Sequence, residues 1–252
     1  MADEPVFIVT GSSTGVGAAT AFELARRGAG VAINYSKSAR EAEETAEACT
    51  RAGGTAIVVQ ADVSADPDCR KLASAALSKW GRIDGLVNNA GTTKFAPMRD
   101  LSALSAEDFQ RIYAVNVIAA YQMIRACEAP LRGARGAVVN VSSIAGTMGI
   151  GSSVAYACSK GALNTMTVAL ARALGPEVRV NAVLPGFTET RWLKLGLGPL
   201  YDRAREAYRA QSALKDTMIP EEVAESVVAL LFARKITGQL LTVDAGRGIG
   251  AS

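Results

Sequence analysis

Tyr156 and Lys160 stand four residues apart in the run Ser153-Val154-Ala155-Tyr156-Ala157-Cys158-Ser159-Lys160, which opens a strongly helical stretch. On a helix that interval puts both side chains on one face, a turn apart. An ammonium beside a phenol favours the phenolate, drawing its pKa down from about 10 toward the range where a tyrosine can give and take a proton. The interval alone is not distinctive. Tyr121 precedes Arg125 and Tyr201 precedes Arg205 by the same spacing, and most such pairs are weak surface contacts. Company separates Tyr156: the apolar run Ala137–Val141 ends in Ser142-Ser143. A serine hydroxyl at the C-terminal end of a parallel strand can donate a hydrogen bond to a substrate oxygen. The chain has no histidine, which excludes Ser-His-Asp chemistry and removes the commonest ligand of a catalytic zinc. No metal is expected.

A second constellation, Thr10-Gly11-Ser12-Ser13-Thr14-Gly15-Val16-Gly17, lies between the first apolar run and an alanine-rich helical pattern. Gly11 permits a tight turn, Gly15 lets the backbone approach a pyrophosphate, and Gly17 allows helix and strand to pack closely. The helix start then offers unpaired N–H groups and a partial positive charge to an anion. A glycine trio also occurs in ordinary strand-to-helix turns, but its place at the first such junction favours the nucleotide reading. An NAD site expects an acid about 20 residues on, at the ribose 2′-OH. Here the second strand ends in Asn34-Tyr35-Ser36-Lys37, with no acid until Glu41. Ser36 and Lys37 suit a 2′-phosphate, so NADP is preferred and NAD stays open, since Lys37 reads equally well as a solvated loop lysine.

These residues need a scaffold. Strands are expected at Val6–Thr10, Val31–Tyr35, Thr55–Gln60, Ile83–Asn88, Ala137–Val141, Arg179–Leu184 and Leu240–Val243. Helical patterns fall between them at about Val16–Arg27, Ala39–Ala52, Pro67–Lys79, Ala106–Ala129, Val154–Leu174 and Pro220–Ala233. Short apolar strands alternating with amphipathic helices predict an α/β fold, a doubly wound parallel seven-stranded sheet with helices on both faces. The 252 residues fit one domain. The one long irregular region, 187–217, reads as a substrate lid. An apolar fraction of 49%, a charged fraction of 20% and a net charge of +3 argue for neither a nucleic-acid nor a membrane partner. The opening Met1-Ala2-Asp3-Glu4-Pro5 and the short run Val6–Val9 give no signal-peptide core, so a cytoplasmic protein is expected. Cys49, Cys69, Cys127 and Cys158 lack CxxC spacing and are expected to be free thiols.

Taken in order, Thr10–Gly17, Asn88-Asn89-Ala90-Gly91, Asn116, Ser143, Tyr156 with Lys160, Pro185-Gly186, Thr237-Gly238-Gln239 and Val243-Asp244 resemble the motifs of the short-chain dehydrogenases/reductases. The likeness spans nearly the whole chain and is greatest to the bacterial 3-oxoacyl-acyl-carrier-protein reductase type. The resemblance implies a Rossmann fold and an oxidoreductase interconverting a carbonyl and an alcohol by hydride transfer. It implies Tyr156 as acid/base, Ser143 orienting the reacting oxygen, and Lys160 lowering the pKa of Tyr156 while bonding the nicotinamide ribose. It assigns Asn116 to a water that joins Lys160 to solvent. Gly11, Ser13, Thr14, Gly15, Val16, Gly17, Tyr35, Ser36 and Lys37 would hold the cofactor with Asp62, Val63, Asn89, Ala90, Gly91, Pro185, Gly186, Thr188 and Thr190. On the residues alone, Asn116 is only a polar helix residue and Asp62 a loop or capping acid.

Some positions depart from the family pattern. Thr14 stands where many NADP-dependent members carry Arg or Lys, Thr188 and Cys158 replace commoner residues, and Asp244-Ala245-Gly246 replaces Asp-Gly-Gly. The resemblance also implies a homotetramer. The region 187–217 carries Trp192, Leu193, Leu195, Leu197 and Leu200 beside Lys194, Arg203, Arg205 and Arg209. An acyl thioester on an acidic carrier is one reading of that basic character, and a solvated helix face is the other. The alternatives of function are an NAD-preferring alcohol or polyol dehydrogenase and a catalytically silent cofactor-binding protein. Intact Asn116, Ser143, Tyr156 and Lys160 weigh against the last.

Overall fold

The first strand, β1 (Val6–Val9), is buried at all four positions. Successive side chains point to opposite faces, and both faces are covered: Phe7 and Val9 join one apolar cluster with Val31, Ile33, Val139 and Leu231, while Ile8 joins another with Leu72, Leu86, Met123 and Val180. This two-sided burial is why the strand reads as a continuous apolar run rather than an alternating one. Each fully buried Leu or Ile contributes roughly 1.5–3 kcal/mol.

In this computed structural model, which describes residues 4–250, the remaining strands are β2 (Gly30–Tyr35), β3 (Thr55–Gln60), β4 (Gly85–Asn88), β5 (Ala137–Val141), β6 (Arg179–Pro185) and β7 (Leu240–Val243). They form one parallel sheet in the order β3-β2-β1-β4-β5-β6-β7. The helices are α1 (Gly15–Ala25), α2 (Ala39–Arg51), α3 (Asp66–Trp80), α4 (Ala106–Tyr113), α5 (Ala119–Ala134), α6 (Ala145–Met148), α7 (Val154–Leu174), α8 (Arg191–Leu197), α9 (Tyr201–Gln211) and α10 (Pro220–Phe232). The fold class is the expected one. Because β1 lies between β2 and β4, the connections after β1 and β4 leave in opposite senses, which opens a crevice at the C-terminal strand ends. The expectation about the leader residues Met1–Asp3 lies outside the described residues.

Several expected extents change. The fourth strand begins at Gly85 rather than Ile83, two residues beyond the sequence estimate. The single helix expected at 106–129 is α4, a π-helical segment Ala114–Ile118 and then α5. A π segment leaves hydrophobic periodicity nearly intact, so the pattern does not betray it. The irregular region 187–217 is mostly helical: Gly198, at φ +52°, ends α8, and Pro199 sits in a single 3₁₀ turn that leads into α9. The breakers punctuate two helices instead of preventing them. The ends of this excursion are stitched together, with Met218 N–H donating to Phe187 O at 3.0 Å and Glu189 N–H to Met218 O at 2.8 Å.

Candidate active site

The turn after β1 is fixed from both sides. Gly11 N–H donates to Asn34 Oδ1 at 3.0 Å, and Asn34 N–H donates to Ser12 Oγ at 3.0 Å. From β4, Asn89 Nδ2 donates to the carbonyls of Thr10 and Gly11 at 2.9 and 3.0 Å, while Thr10 Oγ1 accepts from the N–H groups of Asn89 and Ala90. Gly11 and Gly15 adopt φ of +61° and +60°, the left-handed region open to glycine at no steric cost. A Cβ on Gly17 would lie 2.5 Å from Asn89 Nδ2 and 2.6 Å from Gly11 O, so Gly17 is a packing residue. A Cβ on Gly15 would meet only Thr190 Cγ2, at 3.5 Å. Open space therefore lies against the start of α1, whose N-terminus has neither a side-chain cap nor an acid in its first turn. Those unpaired N–H groups fit a phosphate.

Tyr156 and Lys160 lie on the first two turns of α7, whose start is capped by Ser153 Oγ accepting from Tyr156 N–H at 3.3 Å. Lys160 is buried, with Nζ donating to Val141 O at 2.8 Å and lying 5.7 Å from the centre of the Tyr156 ring. Burial draws the Lys160 pKa down to about 8. Burial also pushes the Tyr156 phenol up to about 12, opposed by a hydrogen bond with Ser143. The expectation that the ammonium lowers the phenol is thus reversed here: Lys160 faces a carbonyl, and desolvation of the phenolate dominates. Ser143, just beyond β5, has its Oγ 3.1 Å from the donating N–H of Ala145. Asn116 sits in the π-helical segment. Its Nδ2 donates to Thr92 O and Ser159 Oγ at 3.0 Å each, and its Oδ1 accepts from Thr92 N–H at 2.8 Å. Ser159 Oγ in turn donates to Tyr156 O at 2.7 Å, so the Asn116 side chain is committed to holding α7 against the Thr92 segment.

A cleft of about 910 Å³ joins these two centres. Gly11, Thr14, Gly15, Val16, Ser36, Lys37, Asp62, Val63, Asn89, Ala90, Gly91, Ser143, Tyr156, Lys160, Pro185, Gly186, Thr188 and Thr190 all line it. Three expected cofactor residues stand behind the wall instead: Ser13, whose carbonyl accepts from Thr45 Oγ1 at 3.2 Å; Gly17; and Tyr35, packed on the core. Asn116 lies beneath the floor, bordering a separate small cavity of about 10 Å³. Asp62 lines the cleft, and its Oδ1 accepts from Ser64 N–H at 3.0 Å in the turn after β3.

The family model described as enoyl-(acyl carrier protein) reductase matches residues 11–247. A ketoacyl reductase of the granaticin polyketide synthase of Streptomyces violaceoruber is 42% identical over 247 residues, covering 97% of this chain and 96% of its own. The chain belongs to the short-chain dehydrogenase/reductase family. The structure of a family member from Burkholderia xenovorans superposes with a TM-score of 0.92 at 38% identity, covering 99% of this chain and 100% of the other. A 7α-hydroxysteroid dehydrogenase solved with NADH and 7-oxo glycochenodeoxycholic acid superposes at 0.89 with 27% identity, covering 99% and 95%. The protein is accordingly an oxidoreductase of CH–OH and C=O groups in a family that uses NAD(P).

In this dehydrogenase/reductase the region 187–217 contributes residues to the cleft. Trp192, Leu193 and Leu197 line it, whereas Leu195 and Leu200 face solvent. The sequence reading missed Phe95, Ile144, Ile150, Phe187 and Tyr208, which complete the apolar wall. Phe95 and Trp192 have ring centres 5.7 Å apart, and Trp192 lies 6.3 Å from Tyr156. Nothing local in the sequence marks these residues as one wall, because they come from separate segments of the chain. The basic character of the lid is largely paired: Arg205 with Glu189 and Glu206, Arg209 with Glu206 and Asp216, and Lys194 over the Tyr201 ring. In the other two tyrosine–cation pairs of that spacing the cation goes to acids, Arg125 to Asp66 and Arg205 to Glu189 and Glu206, and Tyr121 is half exposed. Among the described residues all four cysteines are free, with Cys158 exposed, and no helix is long and apolar enough to cross a membrane.

Proposed function

We propose that the protein is an NADPH-dependent reductase of an uncharged ketone with a bulky apolar or aromatic body. The observation that carries this reading is the position of Ser143 and Tyr156 at one end of a continuous cleft whose other end offers phosphate-binding N–H groups beside Ser36 and Lys37. A bound nicotinamide dinucleotide supplies the hydride for such a reaction. Gly11 to Val16 would hold its pyrophosphate, Ser36 and Lys37 its 2′-phosphate, Asp62 and Val63 would border the adenine, Asn89 to Gly91 the ribose, and Pro185 to Thr190 the nicotinamide end. Ser143 donates a hydrogen bond to the substrate carbonyl oxygen. Tyr156 donates the second and releases its proton to that oxygen as negative charge gathers there. The phenol, raised by burial, is protonated at neutral pH, as a proton donor to that oxygen must be. Lys160 keeps its positive charge close to the forming tyrosinate, and Asn116 acts by positioning α7.

The substrate class is read from Phe95, Ile144, Ile150, Trp192, Leu193 and Leu197, which give the cleft large apolar faces. The paired cations of the lid give less support to an acidic carrier. Exposed Ile118 and Tyr121 near and on α5, with Leu240 and Leu241 on β7, support self-association as a homotetramer. Sedimentation as a monomer at working concentration would refute that assembly. Free buried thiols suit a reducing cytoplasm.

The test is consumption of NADPH and NADH against ketones, acyl thioesters and alcohols. With the preferred ketone, Tyr156→Phe is expected to lower kcat by about 10²–10⁴-fold while nucleotide binding survives. Unchanged turnover would remove Tyr156 from the chemistry.

A further inference from the structure

A 2′-phosphate at Ser36 and Lys37 has one cation in the sequence reading, because Thr14 supplies none, and the first acid beyond it, Glu41, would repel a dianion. The structure changes that balance. Glu41 lies in the first turn of α2, and its Oε1 accepts from both Nη1 and Nη2 of Arg191 at 3.1 Å, across 150 residues of chain. One turn further along α2, Thr45 Oγ1 donates to Ser13 O, so this face of the helix is the one against the phosphate loop. Arg191 also follows Thr190, whose methyl group is the only atom near the space above Gly15. Its side chain therefore begins next to the residue over Gly15 and ends at Glu41, four residues along the chain from Lys37. Arg191, Ser36 and Lys37 line the same cleft.

We propose that Arg191 is the second cation for the cofactor's 2′-phosphate, held over the cleft mouth by Glu41, and that it is a determinant of NADPH preference; this rests on the cofactor reading above. A guanidinium has five donors in a planar fork. Glu41 engages two of them, leaving the rest for phosphate oxygens. The pair also neutralises the carboxylate that would otherwise oppose the phosphate, and its own backbone amide together with Arg191 keeps Glu41 ionised below the usual carboxylate range. An exposed ion pair of this kind, with Arg191 60% and Glu41 24% accessible at the side chain, adds little to folding stability. Its value is that it places a cation at a mouth where the helix start alone would select for any phosphate.

Calorimetric titration decides the matter without turnover. The probes are NADPH, NADH, adenosine 2′,5′-bisphosphate and AMP, on the wild type, Arg191→Met and Arg191→Lys. Arg191→Met is expected to weaken NADPH and adenosine 2′,5′-bisphosphate by about 10–100-fold, with less than about threefold effect on NADH and AMP. Arg191→Lys should recover part of the loss. Equal weakening of NADPH and NADH would assign Arg191 to the pyrophosphate and overturn the proposal, as would an unchanged preference in Arg191→Met. A wild type that binds NADH as tightly as NADPH would instead overturn the cofactor reading itself, and with it this role for Arg191.

Discussion

At the phosphate end of the cleft, Asn34, Asn89 and Thr10 tie the loop after β1 to β2 and β4 through backbone groups. At the lid end, α8 and α9 are held by ring contacts among Phe95, Trp192, Phe187, Tyr201 and Tyr208 and by partly exposed ion pairs. The first kind of attachment fixes main-chain atoms to within a hydrogen bond's tolerance, as a pyrophosphate of invariant shape requires. The second lets side chains slide and swing, as a substrate of variable outline requires. One end is built to be rigid and the other to adapt.

Paired glycine substitutions test that contrast most severely. In Gly17→Ala the new methyl group would meet Gly11 O at 2.6 Å and Ser12 Cα at 2.9 Å, atoms of a backbone that cannot retreat. Thermal unfolding should show a loss of about 1–3 kcal/mol, accompanied by weaker nucleotide binding. In Gly196→Ala, on α8, the nearest atoms the methyl group meets all belong to the ring of Phe95. That ring can rotate, so stability should change little while KM for the ketone shifts. Equal destabilisation by the two substitutions would erase the distinction between the ends.

Lys160 lies where the two ends meet, and its burial gives the next largest effect. With its pKa lowered from 10.5 to about 8, the folded protein binds fewer protons than the unfolded chain between those values. Stability should therefore rise with pH across that window, with Lys160 alone contributing about 3 kcal/mol. The same deprotonation removes the charge beside Tyr156, so reductive kcat should fall as pH rises through about 8. Lys160→Met should abolish both trends, leaving a protein as stable as the wild type or more so but nearly inactive. A kcat that stays flat through pH 9 in the wild type would separate Lys160 from the proton step.

The contrast between the ends also governs what could be read from sequence. The sheet, the glycine turn and the Tyr156–Lys160 pair were legible because each imposes a short-range rule: an apolar run, a positive φ, a helical interval. Asn34 was visible only as a polar residue within an apolar strand, and its role as a staple depends on β2 lying beside β1. The π-helical segment around Asn116 and the sign of the Tyr156 shift were hidden, because one inserted residue scarcely alters periodicity and a pKa follows from burial that no interval encodes. The apolar wall required Phe95, Ile144 and Trp192 to be brought together from three separate segments of the chain. The Arg191–Glu41 pair, spanning most of the chain, left no local trace.

The smallest expected effect concerns the anchor of the lid. At the phosphate end, Gly11 and Gly15 occupy the left-handed positions; at the lid end, Ala245 does so at φ +53°, in the position where the family pattern has glycine. Its carbonyl accepts from Leu214 N–H at 3.0 Å, which ties the end of the lid to the residues after β7. A Cβ in that region costs roughly 1–2 kcal/mol, part of which glycine would give back through its greater freedom in the unfolded chain. Ala245→Gly should therefore raise stability by about 1 kcal/mol, or about 2–4 °C in Tm for a chain of this size. Because Leu214 keeps its acceptor, cofactor affinity should not move. A lower Tm would mean that the alanine methyl group is held by contacts worth more than the strain, and that the lid is anchored by packing after all.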